Sequence, residues 1–564
     1  MVRFSKEWLF IAFSHYRRDI AIAYCFAWIS LPVWVLTWEF AKKGNYAELV
    51  ATLVVSFGAL LIPSVWCRTL RAYLFSMVPL AILSAFVSMY GLLYASPVTA
   101  GLIQSIVYAD MRVELEGSSR YWGIGLATLF GTILFVRGAV SAGAQPFPFR
   151  KIAIAVSLWT IAVLIYLPYV AEWVWQKYDL SLRERIVKNA YPASLVYAGL
   201  EAWQATRLLQ AEDRTDIARR YGLSPPVTNS SKREVYIFIM GEGARESTWT
   251  ELENPALGYV NNLIHYRDAL SQANWSRLSV PMIMSGARIR EDVSRLPTLT
   301  DWERWAGCKT IVLSNSSSYR FTRGADIKTV LGEEGIVRYN GHDHDLLPEV
   351  ANLLARKGWP KLCITLHMVG SHQTYKERYD RRFAKFDVGA NDERLRLAND
   401  YRNTIVMTQD FVRRVIELAG RDAGNVFVAY TADHGENLLE INGLREHVTL
   451  TPTEYELKVP VLFWANDNFL RAHADSWQML RANASAAITN GNLLPTVLDA
   501  MGFLPEAMSI YDYDGSLMQP LRPKDRFYYS PDLQRHPQSD MLVDRQGNIP
   551  NVPSGFGATT ALPN

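Results

Sequence analysis

The feature that most constrains this chain is a series of five long apolar stretches in its first third. They cover residues 20–38, 48–66, 72–94, 122–140 and 152–172. Because a helix crosses a bilayer core with about 20 mostly apolar residues, each stretch is long enough to be a membrane span. Buried helices of a soluble protein are the alternative, but Trp and Tyr near the ends of the stretches favour spans. We therefore predict an α-helical transmembrane domain of five helices over residues 1–172.

Basic residues beside the apolar stretches predict their orientation. Those in the loops assigned to the cytoplasm are Arg17, Arg18, Arg68, Arg71, Arg137, Arg150 and Lys151. Positive charge favours the cytoplasmic side, although Lys42 and Lys43 lie on the opposite side. An odd number of spans then places the chain after about residue 173 outside the cytoplasm. A cleaved signal peptide is disfavoured, because no small-residue cleavage site follows the first stretch and four more stretches do.

The rest of the chain changes character twice. Residues 173–230 have the pattern of charged amphipathic helices and end in the turn-rich SPPVTNSSK, which predicts an interfacial helical linker. Short apolar runs then alternate with helical stretches: VYIFIM at 235–240, TIVLSN at 310–315, LCITLHM at 362–368, NVFVAY at 425–430 and VPVLFW at 459–464. Such runs are typical of buried parallel strands, and their alternation with helices predicts an α/β domain over 231–530. The Pro-, Gly- and Asn-rich residues 531–564 are predicted to be a loose tail.

Charge and cysteine content exclude some classes of protein. The formal net charge of +3 is nearly balanced, whereas proteins that bind nucleic acid backbones concentrate Lys and Arg, so we expect no nucleic acid partner. Of the four cysteines, Cys25 and Cys67 fall in or beside apolar stretches. Cys308 and Cys363 lie in the α/β region, which permits at most one disulfide there if that region is outside the cytoplasm.

Polar side chains follow three of the predicted strands at the point where each strand ends. Glu242 follows the first run, His372 follows the third, and Asp433 with His434 follows the fourth. Sites in open α/β sheets gather at the carboxyl ends of the strands, and zinc accepts this mixture of carboxylate oxygen and imidazole nitrogen. A salt-bridged or helix-capping Asp–His pair is the alternative. The combination of three strand ends favours a metal site.

Two serines are candidate nucleophiles. Ser276 and Ser279 precede an apolar MIM run, at the predicted start of a helix. Free backbone N–H groups and the positive end of the helix dipole stabilise an alkoxide there, and a bound metal does so more strongly. A plain helix cap is the commoner use of such a serine. The outward-facing loop 95–121 also carries Glu114 in a helix-like acidic run, which predicts either a lipid head-group contact or a solvated interfacial helix.

Several of these motifs together resemble the phosphoethanolamine transferases of the Gram-negative inner membrane, the relatives of the lipid A and colistin-resistance enzymes. The matching blocks are Glu242 in GEGAR, Ser276 in NWSRLSVP, LHMVGSH at 366–372 and Asp433-His434 in ADHGE. The resemblance covers nearly the whole chain. It implies five spans, an interfacial linker and a catalytic domain of the sulfatase and alkaline phosphatase type.

The resemblance also implies roles for individual residues. Glu242, Asp433 and His434 would bind the catalytic zinc together with Ser276, the nucleophile. His372 and His447 would contact the transferred group or move protons, and the substrate-binding candidates are Arg320, Glu114, Asp343 and His344. The implied donor is phosphatidylethanolamine, the acceptor an envelope glycan or lipid, and the location a bacterial inner membrane with the catalytic domain in the periplasm. The chain would contact membrane lipids as a multi-pass protein.

The sequence departs from this family's pattern at three places. Ser276 replaces Thr at the nucleophile, the spacing around His447 differs, and the α/β region has two cysteines where the lipid A enzymes usually have several disulfides. These departures leave the acceptor open. The alternatives are a glycerol-phosphate transferase, a phosphodiesterase or sulfatase-type hydrolase on the same fold, and a membrane sensor with a degenerate domain. Ile283 stands where a sulfatase would need Arg, which disfavours the sulfatase.

Overall fold

The computed structural model divides the chain into two compact units, Met1–Ile103 with Gly117–Ala202, and Gln104–Glu116 with Trp203–Asn564. It describes residues 6–42, 46–94, 97–100, 102–103, 122–175, 189–208, 232–252, 257–293, 296–315, 336–337, 342–387, 389, 392–503, 515–521 and 524–544.

The first unit is helical, and a helix occupies each of the five predicted apolar stretches. The helices are α1 (Lys6–Lys42), α2 (Tyr46–Leu61), α3 (Leu70–Ser76), α4 (Val78–Tyr94), α5 (Trp122–Ser141) and α6 (Arg150–Trp175), and α7 (Ala193–Leu208) runs across the boundary at Ala202. Among the described residues, Arg17–Trp38 and Gly123–Ser141 are long and apolar enough to cross a membrane, and the pair α3–α4, bent by 50°, gives a third candidate. Five spans therefore remain a prediction.

Close helix packing holds this unit together. Trp28 on α1 donates its indole N–H to the carbonyl of Ala81 on α4 at 2.8 Å. A Cβ at Gly138 on α5 would stand 2.6 Å from the carbonyl oxygen of Ala21, so α1 and α5 approach closely only because this residue has no side chain. Small residues at such crossings are typical of helices that pack within a bilayer.

The second unit is built on a seven-stranded sheet in the order β2-β10-β7-β1-β6-β4-β5. These strands are β1 (Glu234–Gly241), β2 (Ile264–Tyr266), β4 (Lys309–Ser314), β5 (Ile336–Val337), β6 (Lys361–His367), β7 (Asn425–Ala432) and β10 (Val461–Ala465), while β3 (Ala269–Leu270) pairs outside it. All five predicted apolar runs are strands. The last one differs from prediction, because β10 is antiparallel to β7.

Helices and short strands surround this sheet. The helices are α8 (Glu246–Leu252), α9 (Ser276–Ser285), α10 (Leu299–Trp305), α11 (Leu347–Ala355), α12 (Glu393–Ala419), α13 (Glu454–Leu457), α14 (Asp467–Ala472), α15 (Ala474–Ala482) and α16 (Leu493–Ala500). The short strands are β8 (Asn437–Leu438), β9 (Arg445–Glu446), β11 (Ile488–Thr489), β12 (Phe527–Tyr529) and β13 (Arg535–Pro537).

The second unit continues past its predicted end at residue 530. Strand β13 pairs antiparallel with β12, and Leu542 forms a bridge with Thr453. Leu533 and Met541 are buried. The prediction of a loose tail is therefore wrong for residues 531–544, where β13 pairs with β12 and the side chains of Leu533 and Met541 pack onto the domain. Residues 545–564 lie outside the described part of the chain.

Candidate metal centre

The sheet register brings three strand ends to one edge. In β1, Met240 pairs with His367 of β6 on one side, and Gly241 pairs with Ala432 of β7 on the other. The residues that follow these strands therefore emerge side by side. This parallel arrangement is the physical reason why Glu242 and Asp433, far apart in the sequence, meet in space.

Glu242, Asp433 and His434 form a compact group of oxygen and nitrogen donors. One donor atom from each lies within 4.8 Å of the others, and all three residues are buried. His434 Nε2 is 3.4 Å from Glu242 Oε1 and 3.4 Å from Asp433 Oδ2. Among the described residues, Asp433 Oδ2 has no hydrogen-bond partner although it is buried. An orphaned carboxylate oxygen beside an imidazole nitrogen fits a divalent metal ion such as zinc.

The remaining atoms of the group are fixed by the backbone. Asp433 Oδ1 accepts hydrogen bonds from the N–H groups of Gly243, at 3.2 Å, and His434, at 2.8 Å. His434 Nδ1 lies 3.0 Å from the carbonyl oxygen of Gly435, which directs Nε2 toward the carboxylates. Burial lowers the pKa of His434, so its ring is neutral near pH 7 and can bind a metal. Gly243 has φ of 66° and stands against Ser371, where a Cβ would clash with the carbonyl oxygen at 2.9 Å.

Ser276 is the serine that reaches this group. It begins α9, and its Oγ lies 3.1 Å from His434 Nε2 and 3.3 Å from Glu242 Oε2. Ser279, one helical turn later, is fully buried, and its hydroxyl has no hydrogen-bond partner within the described residues. Of the two candidate nucleophiles, the geometry brings Ser276 to the donor group.

Two further histidines flank the group. The ring of His447 packs 4.0 Å from that of His434 and 6.3 Å from that of His372, measured between centroids. His447 Nδ1 is 2.9 Å from Glu436 Oε1, so this carboxylate orients the imidazole. Burial, with Arg378 nearby, lowers the pKa of His372 to about 3, which keeps its ring neutral.

Glu436 has no role in the sequence-based prediction. It is fully buried, burial raises its pKa, and with His434 and His447 it forms a second group whose donor atoms lie within 4.8 Å of one another. Its place in the ADHGE block, two positions after His434, is the sequence signal that could have pointed to it. A carboxyl group beside two imidazoles thus extends the group of potential ligand atoms around His434.

The structure places Asp343 and His344 in internal contacts, and their part in substrate binding stays a prediction. Asp343 accepts hydrogen bonds from the N–H groups of Val369 and Gly370, each at 2.9 Å. His344 Nε2 is 2.8 Å from Asp410 on α12. Both side chains are buried, so they hold the segment before His372 and α12 in place. The two other substrate-binding candidates, Arg320 and Glu114, lie outside the described residues.

Comparison with known proteins agrees with this fold. The sulfatase family model matches residues 234–503. The Kdo(2)-lipid A phosphoethanolamine 7''-transferase of Escherichia coli K12 is 25% identical over 512 residues, covering 81% of this chain and 87% of that protein. The phosphoethanolamine transferase EptC of the same strain is 26% identical over 197 residues, covering 31% and 33%. This chain is similar to phosphoethanolamine transferases over most of its length.

A solved structure extends the likeness to the membrane unit. The integral membrane lipooligosaccharide phosphoethanolamine transferase A from Neisseria meningitidis matches with a TM-score of 0.65 at 19% identity, over 86% of this chain and 95% of that one. The predicted relationship to phosphoethanolamine transferases is confirmed, as are the transferase class and the fold class of apolar helices followed by a sulfatase-like α/β domain.

Proposed function

We propose that this protein moves phosphoethanolamine from phosphatidylethanolamine to an envelope glycan or lipid, through an ester on Ser276 and with zinc as cofactor. One observation carries the proposal: the Ser276 hydroxyl stands 3.1 Å from His434 and 3.3 Å from Glu242. A nucleophile at the edge of a buried oxygen and nitrogen donor set is suited to phosphoryl-type transfer. The sequence similarity to named phosphoethanolamine transferases supports phosphoethanolamine as the transferred group.

Glu242, Asp433 and His434 are the residues that would bind the zinc, with Ser276 beside it. When bound, a zinc ion offsets the negative charge of the phosphodiester and lowers the pKa of a nearby hydroxyl. The donor set of two carboxylates and one imidazole leaves room for a reacting oxygen, as catalytic zinc sites require.

The protein's own residues account for the two halves of the reaction. In the first, Ser276 Oγ attacks the phosphorus, a Ser–O–P bond forms, the P–O bond to diacylglycerol breaks, and the hydroxyl proton of Ser276 is passed to the departing diacylglycerol oxygen. The start of α9 places backbone N–H groups and the positive end of the helix dipole beside the developing charge. In the second, an acceptor hydroxyl attacks the same phosphorus and releases Ser276.

The acceptor hydroxyl must lose its proton as it attacks. His447 is the better placed of the two flanking histidines, because its ring packs 4.0 Å from that of His434 and Glu436 Oε1, 2.9 Å from its Nδ1, orients it. His372, with its pKa lowered to about 3, is a weaker base and is suited to contacting the transferred group in the neutral form. This division of roles explains why two histidines lie beside one nucleophile.

A membrane location suits a lipid donor. The apolar N-terminal helices and the likeness to an integral membrane transferase support a multi-pass inner-membrane protein whose catalytic domain faces the periplasm. The first relative acts, by its name, on Kdo(2)-lipid A, which supports a glycolipid acceptor for this protein as well. The different spacing around His447 leaves other envelope glycans open as acceptors.

The test is to incubate zinc-loaded, full-length protein with phosphatidylethanolamine and search by mass spectrometry for a phosphoethanolamine adduct on the peptide containing Ser276. If Ser276→Ala releases diacylglycerol as fast as the wild-type protein, Ser276 is not the nucleophile. If activity survives complete chelation of metal ions, the reaction does not require a metal. Release of free phosphoethanolamine with no labelled acceptor in envelope extracts would favour a hydrolase, and preference for phosphatidylglycerol would favour the glycerol-phosphate alternative.

A further inference from the structure

Glu456 is a buried carboxylate whose two oxygens are both engaged by neutral donors. Oε1 accepts hydrogen bonds from Asn274 Nδ2 at 2.7 Å and from the N–H of Thr449 at 3.1 Å. Oε2 accepts from the Thr449 hydroxyl at 2.5 Å and from the N–H of Thr453 at 2.9 Å. Glu456, Asn274 and Thr453 are fully buried, and Thr449 nearly so. Four hydrogen bonds inside the protein therefore satisfy both oxygens of this buried side chain.

The partners of Glu456 belong to the three segments that carry the site. Asn274 lies two residues before Ser276, and Thr449 lies two residues after His447. The carbonyl oxygen of Glu456 accepts a hydrogen bond at 2.7 Å from the N–H of Gly435, the residue that follows His434. One residue thus joins the nucleophile segment, the flanking histidine segment and the metal-ligand segment.

Asn274 strengthens the link between two of these segments. Its Nδ2 also donates to the carbonyl oxygen of Thr449 at 3.0 Å, and its own carbonyl accepts from the N–H of Val448 at 3.2 Å. Side chain and backbone of Asn274 therefore both hold the residues that follow His447. These contacts of Asn274 join positions far apart in the chain.

The segment around His447 needs such a restraint because its backbone is strained. The residues on either side of His447, Glu446 and Val448, have φ of 58° and 68°. A β-branched residue such as valine rarely adopts positive φ, and strained residues persist only where the surrounding structure holds them. The hydrogen bonds of Glu456 and Asn274 fall on the two residues that follow His447, at the place where the strain must be held.

We infer that Glu456 and Asn274 are positioning residues that hold His447 in a strained loop beside Ser276 and His434. The inference rests on the proposed function for the role of His447, and it explains how the unusual spacing around this histidine still yields an ordered site. Glu456 does not touch the reacting atoms. It acts through His447, so its effect should disappear when His447 is removed.

Replacement of Glu456 by Gln disrupts the four hydrogen bonds that the carboxyl oxygens accept, while the volume of the side chain hardly changes. A carboxamide has one accepting oxygen and one N–H₂ group, so the N–H₂ must face the N–H of Thr449 or that of Thr453. Two donors then oppose each other in a buried place. Asp422→Asn is the matched control, because Asp422 is also a buried carboxylate, bound by Arg233 and Lys357 at 2.8 Å each. Asp422 lies just before the start of β7, whereas Asp433 lies just after the end of this strand, so the control is remote from the site.

The experiment uses zinc-loaded full-length protein and measures diacylglycerol release from phosphatidylethanolamine for Glu456→Gln, His447→Ala and the double variant. We expect Glu456→Gln to lower kcat about tenfold or more with zinc content unchanged, and the double variant to be no slower than His447→Ala. Asp422→Asn should keep kcat. In hydrogen–deuterium exchange, Glu456→Gln should deprotect residues 445–450 and Asp422→Asn should not.

The inference would be overturned if the losses of kcat in Glu456→Gln and His447→Ala multiplied in the double variant. It would also be overturned if hydrogen–deuterium exchange at residues 445–450 were unchanged in Glu456→Gln. If Glu456→Gln does not fold, Thr449→Val takes its place, because it removes one hydroxyl donor to Glu456 at nearly constant volume. The loss of kcat in Thr449→Val must then also disappear when it is combined with His447→Ala. If the wild-type protein releases no diacylglycerol, the proposed function fails. The exchange measurement then still decides whether Glu456 holds the His447 segment.

Discussion

Ser276 Oγ and His434 Nε2 lie 3.1 Å apart, although 158 positions separate the two residues in the sequence. The contact exists because β1 and β7 are neighbours in the sheet and α9 begins at the same edge. A hydroxyl in this place can be the nucleophile only if its loss stops the reaction while the metal remains bound.

Ser276→Ala should therefore lower diacylglycerol release by about a thousandfold or more, because no other described hydroxyl contacts both Glu242 and His434. Ser276→Thr keeps the hydroxyl and should retain measurable turnover. Ser279→Ala is the control and should leave turnover nearly unchanged. A large loss in Ser279→Ala with little loss in Ser276→Ala would move the nucleophile one helical turn along α9.

Asp433→Asn should weaken zinc binding, because it removes negative charge from a buried carboxylate whose Oδ2 has no hydrogen-bond partner among the described residues. We expect the affinity, measured by competition with a chromogenic chelator, to fall about tenfold to a hundredfold or more. Zinc should raise the thermal unfolding midpoint of the wild-type protein and should raise that of the variant less. Glu246→Gln, which alters a buried carboxylate paired with His265, should keep the affinity.

Glu303 should make the stability of the protein depend on pH. Burial raises the pKa of this carboxyl group from 4.5 to about 8. The folded protein thus holds the proton more tightly than the unfolded chain, so this stabilisation is complete below pH 4.5 and is lost as the pH rises toward 8. Glu303→Gln should gain stability relative to wild type over that range, by up to about 1.4 kcal/mol per pH unit. Parallel stability curves of the two proteins at pH 5 and pH 8 would contradict this.

The strand-end residues of the site are predictable from sequence, and the residues that hold them are not. Apolar runs such as VYIFIM and NVFVAY mark buried strands, and parallel strands place their carboxyl ends together, so the sequence alone is enough to group Glu242 with Asp433. The hydrogen bond between Asn274 and Glu456 joins residues 182 positions apart. No periodicity or spacing encodes such a contact, because it depends on how α9 and the His447 segment pack.

The internal contacts of Asp343 and His344 could not be predicted from the sequence for the same reason. Their acidic and imidazole groups are chemically suited to a substrate or a metal, so composition alone favours a site. The structure instead turns Asp343 toward backbone N–H groups and His344 toward Asp410. The direction of a side chain is set by the local backbone, here a 3-10 turn over Asp343–Leu346. This turn is not apparent from the HDHDLL sequence.

Asp343→Asn should destabilise the loop that leads to His372. Asp343 Oδ2 accepts the N–H of Gly370 and Oδ1 accepts the N–H of Val369 and Nδ2 of Asn315. An asparagine must turn its N–H₂ group toward one of these donors, which we expect to cost about 1–3 kcal/mol of unfolding free energy. Hydrogen–deuterium exchange at residues 369–372 should rise, and turnover should fall while zinc content is kept. The exposed neighbour Asp345→Asn is the control, and equal effects of the two substitutions would show that the Asp343 contacts do not hold this loop.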